Sequence, residues 1–248
     1  INSSQFKSSE AYNVAFVIDL SGSTITEDGS IDGTPVTFGS DIGDLNNDGR
    51  SNTILDAEIA AFTALNNSII ASGAEDNTKV GIIPFAETAT TTVVSPSGVE
   101  DTLTSLRVEN SGLGIKTNFN AAVDETIAFF GQKAPQNGNN LVFFVSDGNP
   151  TIGGQLDETK INQLNTDFNT SITALGIIGN QDSTESQARL NTLEILDPNA
   201  KLVENPSSLE AGLTGEKIQL DDIQQVEILV NGELAQTVSK EQLESSES

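Results

Sequence analysis

The chain contains no histidine and no cysteine. This double absence excludes a Ser-His-Asp triad, a cysteine nucleophile, a histidine-bearing zinc site and a disulfide framework. Basic residues are also scarce. The chain has 11 Lys and Arg but 36 Asp and Glu, so its net charge is −25. Oxygen atoms therefore dominate the available metal ligands, and oxygen ligands favour hard cations such as Mg²⁺ and Ca²⁺.

The acidic composition also limits the possible partners. We expect neither nucleic acid nor an anionic membrane surface, since both are negatively charged. No continuous apolar run approaches the roughly 18–20 residues of a transmembrane helix, so direct membrane insertion is not expected. The chain has no methionine, even at position 1, and no visible signal peptide. We therefore expect a monomeric module cut from a longer chain.

Short apolar runs alternate with amphipathic stretches along the 248 residues. Four runs that are apolar on both faces predict strands of a parallel sheet; they are VAFVI (14–18), VGIIPF (80–85), LVFFV (141–145) and ITALGII (172–178). Helical spacing covers 55–72, 118–132 and 183–196, with a weaker pattern over 157–168. The alternation predicts an α/β fold with a doubly wound, mostly parallel sheet flanked by helices.

Two further segments predict antiparallel strands. TATTTVVS (88–95) predicts an edge strand, and VEILVNGELAQTV (226–238) predicts a C-terminal β-hairpin with an Asn-Gly turn. We expect a lead-in over 1–11, one domain over 12–213, and an appendage over 214–248 that ends in a poorly ordered tail.

The stretch DLSGS places Asp19, Ser21 and Ser23 at alternate positions directly after the first apolar run. Asp147 follows the third run in the same way, and Thr117 precedes a predicted helix. Open parallel sheets bind ligands outside the carboxyl ends of strands, where the strand order reverses. If the strands before Asp19 and Asp147 are neighbours, the two acids face one crevice. By itself, D-x-S-x-S also fits a turn or a helix cap.

Together, Asp19, Ser21, Ser23, Thr117 and Asp147 resemble the metal-ion-dependent adhesion site (MIDAS) of von Willebrand factor A domains. The order of elements over roughly 12–213 resembles that family as well. The resemblance implies a Rossmann-like domain in which these residues hold Mg²⁺, or alternatively Mn²⁺ or Ca²⁺. It also implies that a carboxylate from a protein or another acidic ligand completes the coordination of the cation. The chain departs from many members by having Lys116, where paired glycines often precede the threonine.

An acidic insertion over 24–55 follows the DLSGS loop. Its segment DLNNDGRSN places Asp44, Asn46 and Asp48 at alternate positions before a glycine, which resembles the opening of an EF-hand or dockerin-type calcium loop. The resemblance implies a Ca²⁺ site with the carbonyl group of Arg50 as the next ligand. An acidic surface loop with Asn-Asp-Gly turns is the alternative interpretation.

The sequence does not determine which residue is the last ligand of this loop. Leu55 stands where an EF-hand has its last acid, and Asp56 follows one place later. Either Asp56 closes a loop with one extra residue, or the ligation differs from that of an EF-hand.

An acidic, cysteine-free A domain with such a loop is similar to those of large calcium-dependent RTX-type bacterial adhesins. That resemblance implies type I secretion and an extracellular or cell-surface location. The expected function is an adhesion module that binds its partner through a metal-bridged carboxylate. The alternatives are a calcium-stabilised structural spacer and an accessory A domain that docks an assembly partner. An enzyme acting alone is not expected, because the sequence shows no catalytic base, cofactor loop or convergent catalytic pair.

Overall fold

The computed structural model describes residues 6–25, 30–31, 34–35, 41–133, 138–178, 183–204, 208–214, 225–230 and 233–239. The chain divides into a larger unit, Ser4–Thr214, and a second unit made of Ile1–Ser3 and Gly215–Ser248. The expected tail after residue 239 and the expected Asn-Gly turn at 231–232 lie outside the described residues.

The larger unit contains eight described strands: β1 (Tyr12–Asp19), β2 (Ser30–Ile31), β3 (Thr34–Pro35), β4 (Thr78–Phe85), β5 (Thr92–Val94), β6 (Asn139–Ser146), β7 (Thr170–Ile177) and β8 (Lys201–Val203). Six of them form the main sheet in the order β5-β4-β1-β6-β7-β8, while β2 and β3 pair separately. Only β5 is antiparallel to its neighbour in this sheet. The predicted doubly wound, mostly parallel α/β fold is therefore confirmed.

Within the described ranges, six α-helices accompany the sheet: α1 (Ile54–Ala71), α2 (Val99–Thr104), α3 (Phe119–Ala128), α4 (Glu158–Asp167), α5 (Thr184–Leu196) and α6 (Leu209–Thr214). Side chains cap four of them at their amino ends, namely Thr53, Asn118, Asp157 and Ser183. A π-helical turn, Phe129–Lys133, follows α3. The sequence missed α2, α6 and β8, because elements of three to six residues carry little periodic signal.

The central strand β1 packs against helices on both of its faces. Phe16 and Ile18 belong to a core with residues of α1, α2 and α6. Ala15 and Val17 point the opposite way, into a core with residues of α3, α4 and α5. This alternation follows from the two-residue repeat of a strand and places the sheet between two helical layers.

Helix α1 is long and apolar enough to cross a membrane by length and composition, which the continuous-run criterion did not indicate. In the structure, 61% of this segment is buried inside the fold. Phe62 of α1 packs on Phe16 of β1, with ring centroids 4.8 Å apart. The apolar side chains of α1 therefore pack in the core of the larger unit.

In the second unit, β9 (Gln225–Val230) and β10 (Glu233–Ser239) form an antiparallel pair. This pairing is the arrangement predicted for 226–238.

Candidate metal site

Strand β1 lies at the point where the strand order reverses, with β4 on one side and β6 on the other. Asp19 is the last residue of β1, and Asp147 directly follows β6. Because Ile18 pairs with Val145, both acids lie at the same edge of the sheet. This is the neighbour relationship on which the predicted crevice depends.

Hydrogen bonds join four of the five predicted site residues. The backbone N–H of Ser21 donates to Asp19 Oδ1 at 2.8 Å. The hydroxyl oxygens of Ser21 and Ser23 lie 3.2 Å apart, and Ser23 Oγ donates to Asp147 Oδ1 at 2.9 Å. The alternating D-x-S-x-S spacing thus brings both hydroxyl groups to the side of the two carboxylates.

Thr117 approaches the same group from the loop before α3. It is buried, and its carbonyl oxygen accepts a hydrogen bond from the N–H of Thr151 at 2.9 Å. Its hydroxyl oxygen lies 3.7 Å from where a Cβ atom on Gly148 would stand, next to Asp147. The fold therefore brings all five predicted residues to one place.

Ser146 also contributes to this site, although the sequence did not single it out. Its hydroxyl group donates to Asp19 Oδ2 at 2.5 Å, so both oxygens of Asp19 accept a hydrogen bond. Ser146 is buried, and it orients the carboxylate of Asp19. Its position immediately before Asp147, at the end of an apolar run, was the available signal.

Burial dominates the electrostatics of the two acids. Burial and, after it, the nearby charge of Asp19 raise the pKa of Asp147 to about 7, against the Ser23 hydrogen bond and the charge of Arg189, which lower it. Burial also raises the pKa of Asp19, against the hydrogen bonds from Ser146 and Ser21. Two carboxylates that share a buried site repel each other, and a cation relieves the repulsion.

The oxygen donors fit a hard divalent cation. Asp147 Oδ2 is buried and has no hydrogen-bond partner among the described residues. The surrounding ligand atoms are carboxylate and hydroxyl oxygens, the type that Mg²⁺ and Mn²⁺ prefer. Ser23, Ile115 and Lys116 are exposed, so the site has an open side.

Glu58, in the first turns of α1, is a further acid that the sequence did not assign to this site. It is fully buried, and neither carboxylate oxygen has a hydrogen-bond partner within the described part of the chain. Burial raises the pKa of Glu58 well above the ordinary value, and the negative charges of Asp19 and Asp147 raise it as well. The available signal was an acid on the buried stripe of a helix, four residues from both Ile54 and Phe62.

The acidic loop adopts a compact turn around Asp44. The backbone N–H groups of Asp48 and Gly49 donate to Asp44 Oδ1 and Oδ2 at 3.1 and 3.0 Å. Asn46 Oδ1 accepts from the N–H of Asp48 at 3.2 Å, so three of the predicted calcium ligands are neighbours. Gly49 has a φ of 91°, in the left-handed region that favours glycine.

Asp56 serves as a helix cap in the structure. Its Oδ2 accepts hydrogen bonds from the N–H and the hydroxyl group of Thr53, at 2.9 and 2.7 Å. Its Oδ1 accepts one from the N–H of Leu45 at 2.8 Å, which ties the loop to α1. Both oxygens are thus engaged with protein donors, and the function of Asp56 as a calcium ligand stays a prediction.

Arg50 connects the loop to the segment that leads toward Thr117. Its guanidinium group lies 3.8 Å from Asp48 Oδ2 and 2.6 Å from Glu109 Oε1. Among the described residues, no three Asp or Glu side chains converge on one point suited to a metal ion. Each candidate site therefore depends on hydroxyl, amide or carbonyl oxygens in addition to its acids.

No protein-family model and no curated protein matches the chain. Several solved structures share its fold. The pilus adhesin SpaC from Lactobacillus rhamnosus GG matches with a TM-score of 0.58 at 12% identity, over 84% of this chain and 30% of SpaC. Proximal thread matrix protein 1 from the mussel byssus, in a structure with a zinc-occupied MIDAS motif, matches with a TM-score of 0.55 at 13% identity, over 82% of this chain and 46% of that protein.

BatB from Bacteroides thetaiotaomicron matches with a TM-score of 0.55 at 16% identity, over 83% of this chain and 96% of BatB. The chain thus spans less than half of SpaC and of the mussel protein. At these identities the comparisons concern the fold, which is that of a von Willebrand factor A-like domain.

Proposed function

We propose that this chain is an adhesion module that recognises a carboxylate group of its partner through a divalent cation. The main support is Asp147 Oδ2, a buried carboxylate oxygen without a partner among the described residues, beside the oxygen ligands of Asp19, Ser21, Ser23 and Thr117. A buried charge needs compensation, and this ligand set suits Mg²⁺ or Mn²⁺, with Ca²⁺ as an alternative.

The five residues would contribute to cation binding in two ways. Asp19 and Asp147 supply two negative charges, while Ser21, Ser23 and Thr117 supply neutral oxygen atoms. The charges of Asp19 and Asp147 together equal that of one divalent cation. A bound cation could keep one coordination position open for a carboxylate oxygen of the partner.

The open side of the site favours an acidic partner. Ser23 belongs to the ligand set and is exposed, so a group from outside can approach it. Lys116, directly before Thr117, is exposed as well. Its ammonium group adds a positive charge at the rim of a protein that otherwise carries a large negative charge, which favours a carboxylate there.

The proposal includes a location and a second ion. The names pilus adhesin and thread matrix protein support a protein partner outside the cell, as expected for a domain of an RTX-type adhesin exported by type I secretion. In the acidic loop, Asp44, Asn46, Asp48 and the carbonyl group of Arg50 would hold Ca²⁺, with Asp56 as the candidate closing ligand. This calcium site would stabilise the fold.

Calorimetric titration tests the cation site. Chelator-treated protein should bind Mg²⁺ or Mn²⁺, and Asp19→Ala and Asp147→Ala should abolish that binding. Asp157→Ala is a suitable control, because Asp157 caps α4 and lies outside the site. Unchanged binding in the Asp19 and Asp147 variants would remove the basis of the proposal.

A peptide array tests the partner chemistry. Peptides with a central Glu or Asp should be retained in Mg²⁺, and they should be lost in chelator or when the acid is changed to Gln or Asn. Retention that is unchanged by chelator and by substitution of the acidic residue would argue against a metal-bridged carboxylate. Metal binding without retention of any acidic peptide would favour the structural-spacer alternative.

A further inference from the structure

Glu58 occupies a position where a carboxyl group has no structural task. It lies on the buried side of α1, where most of the other buried residues are apolar, and it is fully buried. The amino end of α1 is already capped by Thr53 and Asp56. Within the described chain, no donor reaches either Glu58 oxygen. An apolar side chain would pack there without the desolvation penalty of an unpaired carboxyl group.

Two other buried acids act on Glu58 by their charge. Helix α1 packs against β1 and against the turn Gly22–Ile25, which includes Ser23. The charges that act on Glu58 are those of Asp19 and Asp147, the acids of the candidate cation site. Like charges in a buried region repel each other, so three acids in one region can be ionised together only beside a positively charged group. Asp147 Oδ2 and both oxygens of Glu58 lack a partner in the described part of the chain, and all three atoms are buried.

We infer that Glu58 is a third acid of the cation site, acting on the bound cation through its water ligands. The inference rests on the proposed cation-binding function. The arrangement through water follows from the absence of any three convergent acidic side chains among the described residues. Mg²⁺ keeps several of its waters when bound to proteins, and those waters donate hydrogen bonds to nearby carboxylates. Such outer groups orient the ligands and increase affinity for the metal.

Glu58→Gln is the informative variant, because it keeps the shape of the side chain and removes its capacity for charge. We expect the affinity for Mg²⁺ and Mn²⁺ to fall by about 10-fold to 100-fold. Glu58→Leu removes the polar atoms as well and should weaken binding at least as much. Asn66→Ala is the matched control, because Asn66 is another buried polar residue of α1 and its amide group donates to the carbonyl of Pro96.

Titration calorimetry of the chelator-treated chain, with Mg²⁺ and separately with Mn²⁺, measures these affinities. Melting curves should show that Glu58→Gln is folded. Loss of affinity in Glu58→Gln with wild-type affinity in Asn66→Ala supports the inference. Wild-type affinity in both Glu58 variants, together with loss of binding in Asp19→Ala, overturns the assignment of Glu58 and leaves the proposed function standing. Absence of binding by the wild-type chain overturns both.

Water-proton relaxation of bound Mn²⁺ provides a second readout. If Glu58 acts through water, the number of water molecules on Mn²⁺ should be the same in the wild type and in Glu58→Leu. An additional metal-bound water in Glu58→Leu would show that Glu58 contacts the ion directly, which would overturn the water-mediated arrangement.

Discussion

Asp56 and Glu58 lie two residues apart in α1 and serve different regions of the protein. Asp56 Oδ1 accepts a hydrogen bond from the N–H of Leu45 in the acidic loop, whereas Glu58 is buried near Asp19 and Asp147. The first turns of α1 therefore support both candidate ion sites. A change in the loop that shifts this end of the helix would also shift Glu58.

Removal of the Asp56 side chain should destabilise the larger unit. Asp56→Ala leaves the N–H groups of Leu45 and Thr53 without their acceptor, so the free energy of unfolding should fall by about 1–3 kcal/mol. Thr53→Ala, which removes the capping hydroxyl alone, should cost about 1 kcal/mol. Urea unfolding measures both changes. Stability equal to that of the wild type in Asp56→Ala would contradict the capping function.

The same Asp56 variant, measured with and without Ca²⁺, separates its two possible functions. If Asp56 closes the calcium loop, the stabilisation by Ca²⁺ should disappear in Asp56→Ala. If it is a cap alone, the loss of stability should be equal in Ca²⁺ and in chelator. This comparison decides the question that Leu55 and Asp56 leave open in the sequence.

Calcium should stabilise the protein through the acidic loop. At a free Ca²⁺ concentration about 100 times the dissociation constant, one site adds about 2.7 kcal/mol to the free energy of unfolding. Asp44→Ala and Asp48→Ala should remove this gain, since both acids belong to the compact turn. Asp41→Ala, in the same segment but exposed, should keep it. Thermal melting at matched ionic strength measures this gain. Equal shifts of the melting temperature by Ca²⁺ in all three variants would show that the segment is an ordinary surface loop without a calcium site.

The cation-free protein should lose stability as the pH rises from 3.8 to about 7, because Asp147 keeps its proton up to about pH 7 when folded. In this window the folded state binds more protons than the unfolded state. The free energy of unfolding therefore falls with pH, by at most about 1.4 kcal/mol per pH unit for one group, and the loss is complete above the folded pKa. The raised pKa values of Asp19 and Glu58 act in the same direction.

Urea unfolding in chelator at several pH values measures this decline. Asp147→Asn should make it shallower, whereas Asp157→Asn, at the start of α4, should not. Saturating Mg²⁺ should oppose the decline, because the cation binds the ionised carboxylates. A stability that rises with pH over this window in chelator would contradict the buried, protonated state of these acids.

Gly81 in β4 should not tolerate a side chain. A Cβ atom there would lie 2.8 Å from ring atoms of Phe129, which is fully buried. Gly81→Ala should therefore lower the free energy of unfolding by about 1–3 kcal/mol through overpacking. Gly98→Ala is the control, because its Cβ atom would make an ordinary contact of 3.5 Å with Val94. Equal stability of the two variants would contradict this packing.

The parts of the site that follow strands were predictable from the sequence. Asp19 and Asp147 end long apolar runs, and parallel strands place such ends at one edge of the sheet. Thr117 was singled out because it stands directly before a predicted helix, and the family resemblance then placed it in the ligand set. In each case the signal came from residues next to a regular element.

Glu58 and Ser146 were not assigned to the site, because their environment depends on tertiary packing. Glu58 lies in a helix whose buried residues are mostly apolar. Helical periodicity in the sequence does not reveal that the charges of Asp19 and Asp147 act on this residue. The hydrogen bond from Ser146 to Asp19 joins positions 127 residues apart in the chain. The apolar runs indicate where the strands end, whereas packing between the helical and strand layers determines which other polar groups lie beside those ends.

The hydrogen bond between Ser23 and Asp147 also spans 124 residues. A chain emerging from the ribosome presents Asp19, Ser21 and Ser23 early, but it cannot complete the site until β6 has been synthesised and has inserted beside β1. Truncated chains that end before β6 would hold the D-x-S-x-S loop without the second carboxylate. Capture of the cation would thus distinguish chains in which β6 lies beside β1 from shorter chains.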